Sequence, residues 1–283
     1  IMKIGLVLSG GGANGAYEVG VWRYMRELGL SKHVHVFSGT SIGAFNSLLF
    51  AQNEPSKSTA LWNDLSADIV MPISKFKILS MSIQLSIGAK IVSKFDKIGD
   101  WFLNKYWDSG KAPTEGLLAV LNKYLDYEKI INSKIKCYAT CTEMPECKAT
   151  YFKLNDYTPE EITKIIMASA TLPTIFKSTE FNGKKYVDGG LVDNTPIEPA
   201  YKEGCDYIIV VYLNKGISID KSLYPNSKII EIIPKEINEG TIGGVLNFKE
   251  KAKLKLFRQG YLDAQKVLSP VFQKSNLSLS SIN

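Results

Sequence analysis

An α/β fold in three layers, with helices on both faces of a central and mostly parallel sheet, is what the sequence predicts, on three observations. Short continuous apolar runs at 4–8, 34–37 and 207–213 have the length and β-branched content of strands buried on both faces. Between the first two, Tyr17, Val21, Tyr24 and Leu28 recur at helical spacing with Glu18, Arg23, Arg26 and Glu27 among them, an amphipathic helix that stops near Gly29. Strand, helix and strand in that order imply parallel pairing. The 283 residues are 45% hydrophobic, enough for a real core in one large domain or two smaller ones, which excludes a disordered or fibrous chain.

The chain opens with Met2 and Lys3 running into "IGLVLS", a first strand rather than a signal peptide, and Ile1 reads as an addition before the natural start. After the second strand, residues 44–51 are apolar almost all round, as in a helix that leaves a buried strand and runs under the sheet. Residues 66–112 are rich in serine and lysine. There Leu79, Met81, Ile83, Leu85 and Ile87 alternate like a strand while 91–101 favours a helix, and the segment is expected to be an inserted helical lid.

Regular patterning resumes at Pro113. Leu117, Val120, Leu121, Tyr124 and Leu125 share one helical face, with Thr114 placed to cap the start. "KIKCYATCT" and "ATYFKL" read as two strands joined by a turn at 143–148. "TPEEITKIIMASA" is a helix with Thr158 as N-cap, Pro159 at its first position and Glu161 completing a capping box. "KKYVDGG" is a short strand with Asp188 at its tip, and the tail past Gln273 is expected to fray.

Charge and cysteine content narrow the function classes. A net charge of +6, mostly from lysine, comes without the dense basic block of a nucleic-acid arm, so no nucleic-acid partner is expected. Cys137, Cys141, Cys147 and Cys205 lack zinc spacing and have no nearby histidine, so neither a metal nor a cofactor is expected and the thiols suit a reducing compartment. No run of about 18 apolar residues occurs, so a transmembrane helix is not expected and the location predicted is cytoplasmic. Residues 248–268 form a basic helix with Leu254, Phe257, Tyr261 and Leu268 on one side. Such a helix can lie on an anionic membrane surface, but packing against the sheet is the commoner fate and the one expected.

Two glycine motifs carry the chemistry. Gly10, Gly11, Gly12, Ala13, Asn14 and Gly15 lie between a strand and a helix in the spacing of a dinucleotide loop. That loop also wants a carboxylate at the end of the second strand to hold a ribose, and this strand ends in Phe37-Ser38-Gly39, so the dinucleotide reading fails. Backbone amides bared by glycine at a helix start can equally hold a developing oxyanion. Gly39-Thr40-Ser41-Ile42-Gly43 is a G-x-S-x-G sequence between an apolar strand and a buried helix, the setting of a nucleophile elbow.

A serine nucleophile needs a base, and the usual triad has a histidine after the serine. None follows His35 here, and His35 itself lies six positions before Ser41 along a strand, about 20 Å away at 3.3 Å per residue. The base must be a carboxylate or a lysine. Asp188, at a strand end and followed by Gly189 and Gly190, is a candidate, provided that burial and a direct hydrogen bond improve on an ordinary aspartate.

Together these elements resemble the patatin-like phospholipase family, lipid acyl hydrolases with a Ser-Asp dyad. Leu191-Val192-Asp193-Asn194-Thr195-Pro196 looks like the continuation of the family's acid motif, and "SATLPTIF" from Ser169 resembles the block before it. "IIEIIP" and "FRQGYLDAQ" are similar in outline to bacterial members. The resemblance implies an acyl hydrolase domain over 4–213, with 66–112 as lid, and a C-terminal extension over 214–283 packed on the same globule. It implies Ser41 as nucleophile, Asp188 as general base and acid, the amides of Gly10, Gly11, Gly12 and Ala13 as oxyanion hole, and Asn14, Gly15, Gly39, Gly43, Gly189 and Gly190 in support. The implied substrate is an acyl lipid, cleaved as by a phospholipase A or lysophospholipase. One departure is Asn14, which stands where members commonly carry Arg or Lys. The motifs do not encode the leaving group, so a thioesterase, acyltransferase or peptidase on the same dyad stays open, as does a lipid-binding protein without turnover.

Overall fold

The computed structural model describes residues 2–70, 107–173, 175–215, 219–237 and 242–279. Eight strands form one sheet: β1 (Ile4–Leu8), β2 (Val34–Thr40), β3 (Lys136–Met144), β4 (Lys148–Lys153), β5 (Thr179–Phe181), β6 (Lys184–Asp188), β7 (Tyr207–Val211) and β8 (Lys228–Ile232). The helices among the described residues are α1 (Ala16–Glu27), α2 (Ile42–Ala51), α3 (Pro55–Asp64), α4 (Ala67–Val70), α5 (Glu115–Tyr124), α6 (Tyr127–Ile131), α7 (Pro159–Ser169), α8 (Glu198–Lys202), α9 (Ile242–Val245) and α10 (Glu250–Leu279).

The sheet is parallel through β3, β2, β1, β7 and β8, while β4, β5 and β6 pair antiparallel. Burial on both faces explains the continuous apolar strands. Ile4, Leu6 and Leu8 point into a core shared with α1, α2 and α10, whereas Val7, Ile208 and Val210 point into a second core with Ile197 and Ala200 at α8. The result is the three-layer α/β/α arrangement.

The register of β3 decides what meets at the sheet's edge. β4 lies against β3 from Tyr138 to Glu143, so β2 (against 136–140) and β6 (against 141–144) must share the opposite edge. One runs parallel to β3 and the other antiparallel, so they converge: Thr40 pairs with Thr140, and Asp188 with the next residue, Cys141. Two chain-distant strand tips are thereby set end to end.

Several expectations change in detail. The helix expected beyond Pro113 breaks at the extended Leu125, and Asp126 caps a separate α6 by accepting the Lys129 amide at 3.1 Å. Thr114 stands at the N-cap of α5, but its side chain makes no capping bond. The capping box of α7 forms as expected between Thr158 and Glu161. The tail continues as α10 to Leu279 instead of fraying after Gln273. Most of the expected lid, 71–106, lies outside the described residues.

The basic helix, α10, packs chiefly on α1 rather than on the sheet. Gly20 and Gly260 make this possible: a Cβ on Gly20 would fall 2.0 Å from the Phe257 carbonyl oxygen, and one on Gly260 would fall 2.0 Å from that of Tyr17. Backbones therefore touch directly, and Tyr17 and Tyr261 pin the crossing with hydroxyl bonds to Asp263 at 3.0 Å and Glu27 at 2.6 Å. Lys253, also on α10, is buried and donates to the carbonyls of Trp62 and Leu65, which satisfies the C-terminal end of α3. Of its apolar side, expected to pack, Phe257 and Tyr261 are half-buried and Leu268 is fully buried; Leu254 remains 56% exposed.

Candidate active site

Ser41 follows the last residue of β2 and precedes α2, with φ 55° and ψ −123°. Positive φ in a serine is strained, and it turns the side chain out of the strand end. The flanking glycines are a steric necessity: a Cβ on Gly39 would sit 2.4 Å from the backbone of Gly43, and one on Gly43 would sit 2.2 Å from the Leu8 carbonyl oxygen. This is the elbow geometry that the G-x-S-x-G sequence predicts.

Asp188 ends β6 and is buried. Its main chain is held by its amide to the Thr171 carbonyl (2.8 Å) and by the Thr142 hydroxyl to its own carbonyl (2.9 Å). The carboxylate accepts the Gly190 amide at 2.7 Å and lines the same cavity as Ser41. Burial pushes the carboxyl up from the usual aspartate range to about 6, against the opposing pull of the Gly190 amide and the neighbouring Ser41 hydroxyl. Gly189 must lack a side chain, because a Cβ there would meet the Thr140 carbonyl oxygen at 2.3 Å.

The glycine loop completes the cluster. Gly10, Gly11 and Gly12 line the same cavity as Ser41, Asp188 and Gly190, while Ala13 is fully buried and is not part of that lining. The Gly10 amide donates to the Asn194 carbonyl (3.3 Å), and the Asn194 side chain donates back to the Gly10 carbonyl (3.1 Å). That reciprocal pair braces the glycine loop against the loop after Asp188 and occupies one of the four expected oxyanion donors. Gly15 is anchored from below: Asn46 donates to its carbonyl (3.0 Å) and to Glu18 (2.7 Å), and accepts from Trp62 (3.0 Å). Burial holds the Glu18 carboxyl well above its ordinary range. Asn14 is buried, so the position where a cation was expected from the resemblance carries a neutral, inward side chain.

The cavity over Ser41 has a volume of about 500 Å³ and apolar walls from Phe45 of α2, Leu117 and Leu121 of α5, Ile166 of α7, Phe176 and Phe248. Val70 of α4 also reaches it, so the start of the lid segment borders the site. His33 and His35 stay at the far end of β2, where the His35 ring bonds the His33 carbonyl. Among the described residues no three His, Cys, Asp or Glu side chains group to hold a metal. The roles of Asn194 and Ser169 within their motifs, and of Asn46, were not evident from sequence; Asn46 alone left a signal, as a polar residue inside the apolar 44–51 run.

A strained serine at a strand end, a buried carboxylate, a glycine loop and apolar walls thus meet around one cavity of the α/β sheet. The family model described as patatin-like phospholipase matches residues 6–201, and the chain belongs to that family. It is 25% identical over 223 residues to "Lysophospholipase NTE1" of Meyerozyma guilliermondii, covering 74% of this chain and 12% of that protein. Over 233 residues it is 28% identical to "Triacylglycerol lipase 4" of Saccharomyces cerevisiae, covering 76% of this chain and 24% of that protein. The chain thus spans less than a quarter of the length of these curated relatives. Its fold is similar to VipD from Legionella pneumophila (TM-score 0.51, 18% identity, 95% of this chain and 67% of that one). It is also similar to human GIVD cytosolic phospholipase A2 in complex with methyl gamma-linolenyl fluorophosphonate (TM-score 0.50, 10% identity, 99% and 60%).

Proposed function

We propose that this chain hydrolyses fatty-acyl esters of lipids through Ser41 and Asp188. The observation that carries the reading is that Ser41 and the buried Asp188, whose carboxyl is raised to about 6, line one apolar cavity together with the glycine loop. Asp188 takes the Ser41 proton as Oγ attacks the ester carbonyl, and the amides of Gly11 and Gly12 receive the tetrahedral oxyanion. Asp188 returns the proton to the leaving alcohol, and a water deprotonated by the same carboxylate then releases the fatty acid from Ser41. Gly10 serves by anchoring the loop through Asn194. A long acyl chain is the group that the apolar walls suit.

A fluorophosphonate probe tests the nucleophile. Wild type is expected to be labelled at Ser41 and Ser41→Ala to stay unlabelled; a folded wild type that resists the probe would falsify the catalytic reading and favour a lipid-binding protein without turnover. A panel of acyl esters, acyl thioesters and lysophospholipids then separates hydrolase from thioesterase by the leaving group turned over fastest.

Contact with an anionic membrane is supported by the outer face of α10, where Lys251, Lys255 and Arg258 are exposed beside Leu254 and Leu262. Reversing the charge of Lys251, Lys255 and Arg258 is expected to weaken sedimentation with anionic liposomes by about 1 kcal/mol per cation. Unchanged sedimentation would remove this face from the account.

A further inference from the structure

Ser169, the last residue of α7, is fully buried, and its hydroxyl lies between two main chains. It accepts the Ser41 amide at 2.9 Å and donates to the Thr140 carbonyl at 2.7 Å. Two residues on, the Thr171 carbonyl accepts the Asp188 amide at 2.8 Å. One short segment therefore grips the backbone of both Ser41 and Asp188, while its neighbours Ala170, Leu172 and Pro173 form part of the cavity wall.

The Ser41 amide needs a partner of this kind. The β2–β3 ladder ends at the Thr40–Thr140 pair, and α2 takes up the main chain only where the Phe45 amide reaches the Ser41 carbonyl at 3.2 Å. Between ladder and helix, a peptide at φ 55° leaves its N–H facing the interior, where an unpaired donor is costly. Whatever accepts that N–H fixes how the strained peptide is turned, and with it the direction of Oγ.

We infer that Ser169 is a positioning residue for the nucleophile: its hydroxyl ties the Ser41 peptide to β3 and so holds Oγ on Asp188. The inference rests on the proposed roles of Ser41 and Asp188. Ser169 itself touches no reacting atom, so its removal loosens the approach geometry without altering the cavity that binds the acyl chain.

Ser169→Ala and Ser169→Thr are compared with wild type for fluorophosphonate labelling rate and for kcat and KM on a p-nitrophenyl acyl ester, each well below its own melting temperature. In the alanine variant, kcat and the labelling rate are expected to fall together by about 10–100-fold while KM stays within about two-fold, the mark of lost alignment at unchanged binding. Threonine, which keeps the hydroxyl, is expected to recover most of the labelling rate. Alanine and wild type labelled equally fast would overturn the role of Ser169 alone, as would threonine and alanine equally impaired. Wild type unlabelled at Ser41 would overturn the reading beneath it. Should the alanine variant not fold, Ser169→Cys, which weakens both bonds at similar volume, gives the same readout: slowed labelling supports the role and wild-type labelling overturns it.

Discussion

Asp188→Asn is expected to lower acyl-ester turnover by about 10²–10⁴-fold and, above pH 6, to make the protein harder to unfold. Both effects have one origin. The folded site raises the Asp188 carboxyl from 3.8 to about 6, so the native state binds this proton more tightly than the unfolded chain does. Below pH 3.8 both states are protonated and the site carries no penalty. Between 3.8 and about 6 the unfolded chain ionises first and stability falls as pH rises; above about 6 the full cost of a buried carboxylate is in place. At about 1.36 kcal/mol per pH unit that cost approaches about 3 kcal/mol, and an amide, which still needs partners, is expected to recover about 1–3 kcal/mol of it. Urea unfolding of wild type and Asp188→Asn at pH 8 and pH 4 checks this, since most of the gain must be lost at the acid end. For wild type, kcat/KM is expected to rise through an apparent pKa near 6, as ionised Asp188 becomes available to accept the Ser41 proton.

Gly260→Ala is expected to destabilise the protein by about 3 kcal/mol, the upper part of the range for overpacking. The added methyl would stand 2.0 Å from the carbonyl oxygen of Tyr17, a backbone atom that cannot rotate away, so α1 and α10 must separate. Alanine's better helix propensity returns only about 1 kcal/mol. Gly20→Ala strains the same crossing from the other side, at 2.0 Å from the Phe257 carbonyl. Because one separation relieves both clashes, the double variant is expected to lose less than the two single losses added together. Chemical denaturation of the set measures this, and strict additivity would show that the helices are not the element that moves.

The strands of the sheet centre and the elbow were legible in the sequence because their causes are local. A run buried on both faces must be apolar throughout, and a strained serine must have glycines two places either side. The meeting of Ser41 and Asp188 was legible only through the resemblance. Its physical cause is the register by which the two halves of β3 receive β2 and β6, and that register leaves no mark in either strand alone. The break between α5 and α6 did leave one, since Asp126 precedes Lys129 at capping distance, but the continuing apolar face at Leu125 hid it. Gly20 and Gly260 were equally visible, as glycines inside helical patterns, where the residue is unfavourable unless another backbone comes close. Ser169 was beyond reach: a serine at a helix end has many uses, and only the fold shows which amide it meets.

The crossing of α1 with α10 also bears on when the molecule becomes competent during synthesis. The glycine loop leads straight into α1, yet the partner that covers α1 is not made until residue 250 and beyond has left the ribosome. A nascent chain paused before that point carries every motif of the site and still leaves Tyr17 and Val21 bare to water, with Lys253 absent from the end of α3. Translation of α10 is thus the step that covers this face of α1.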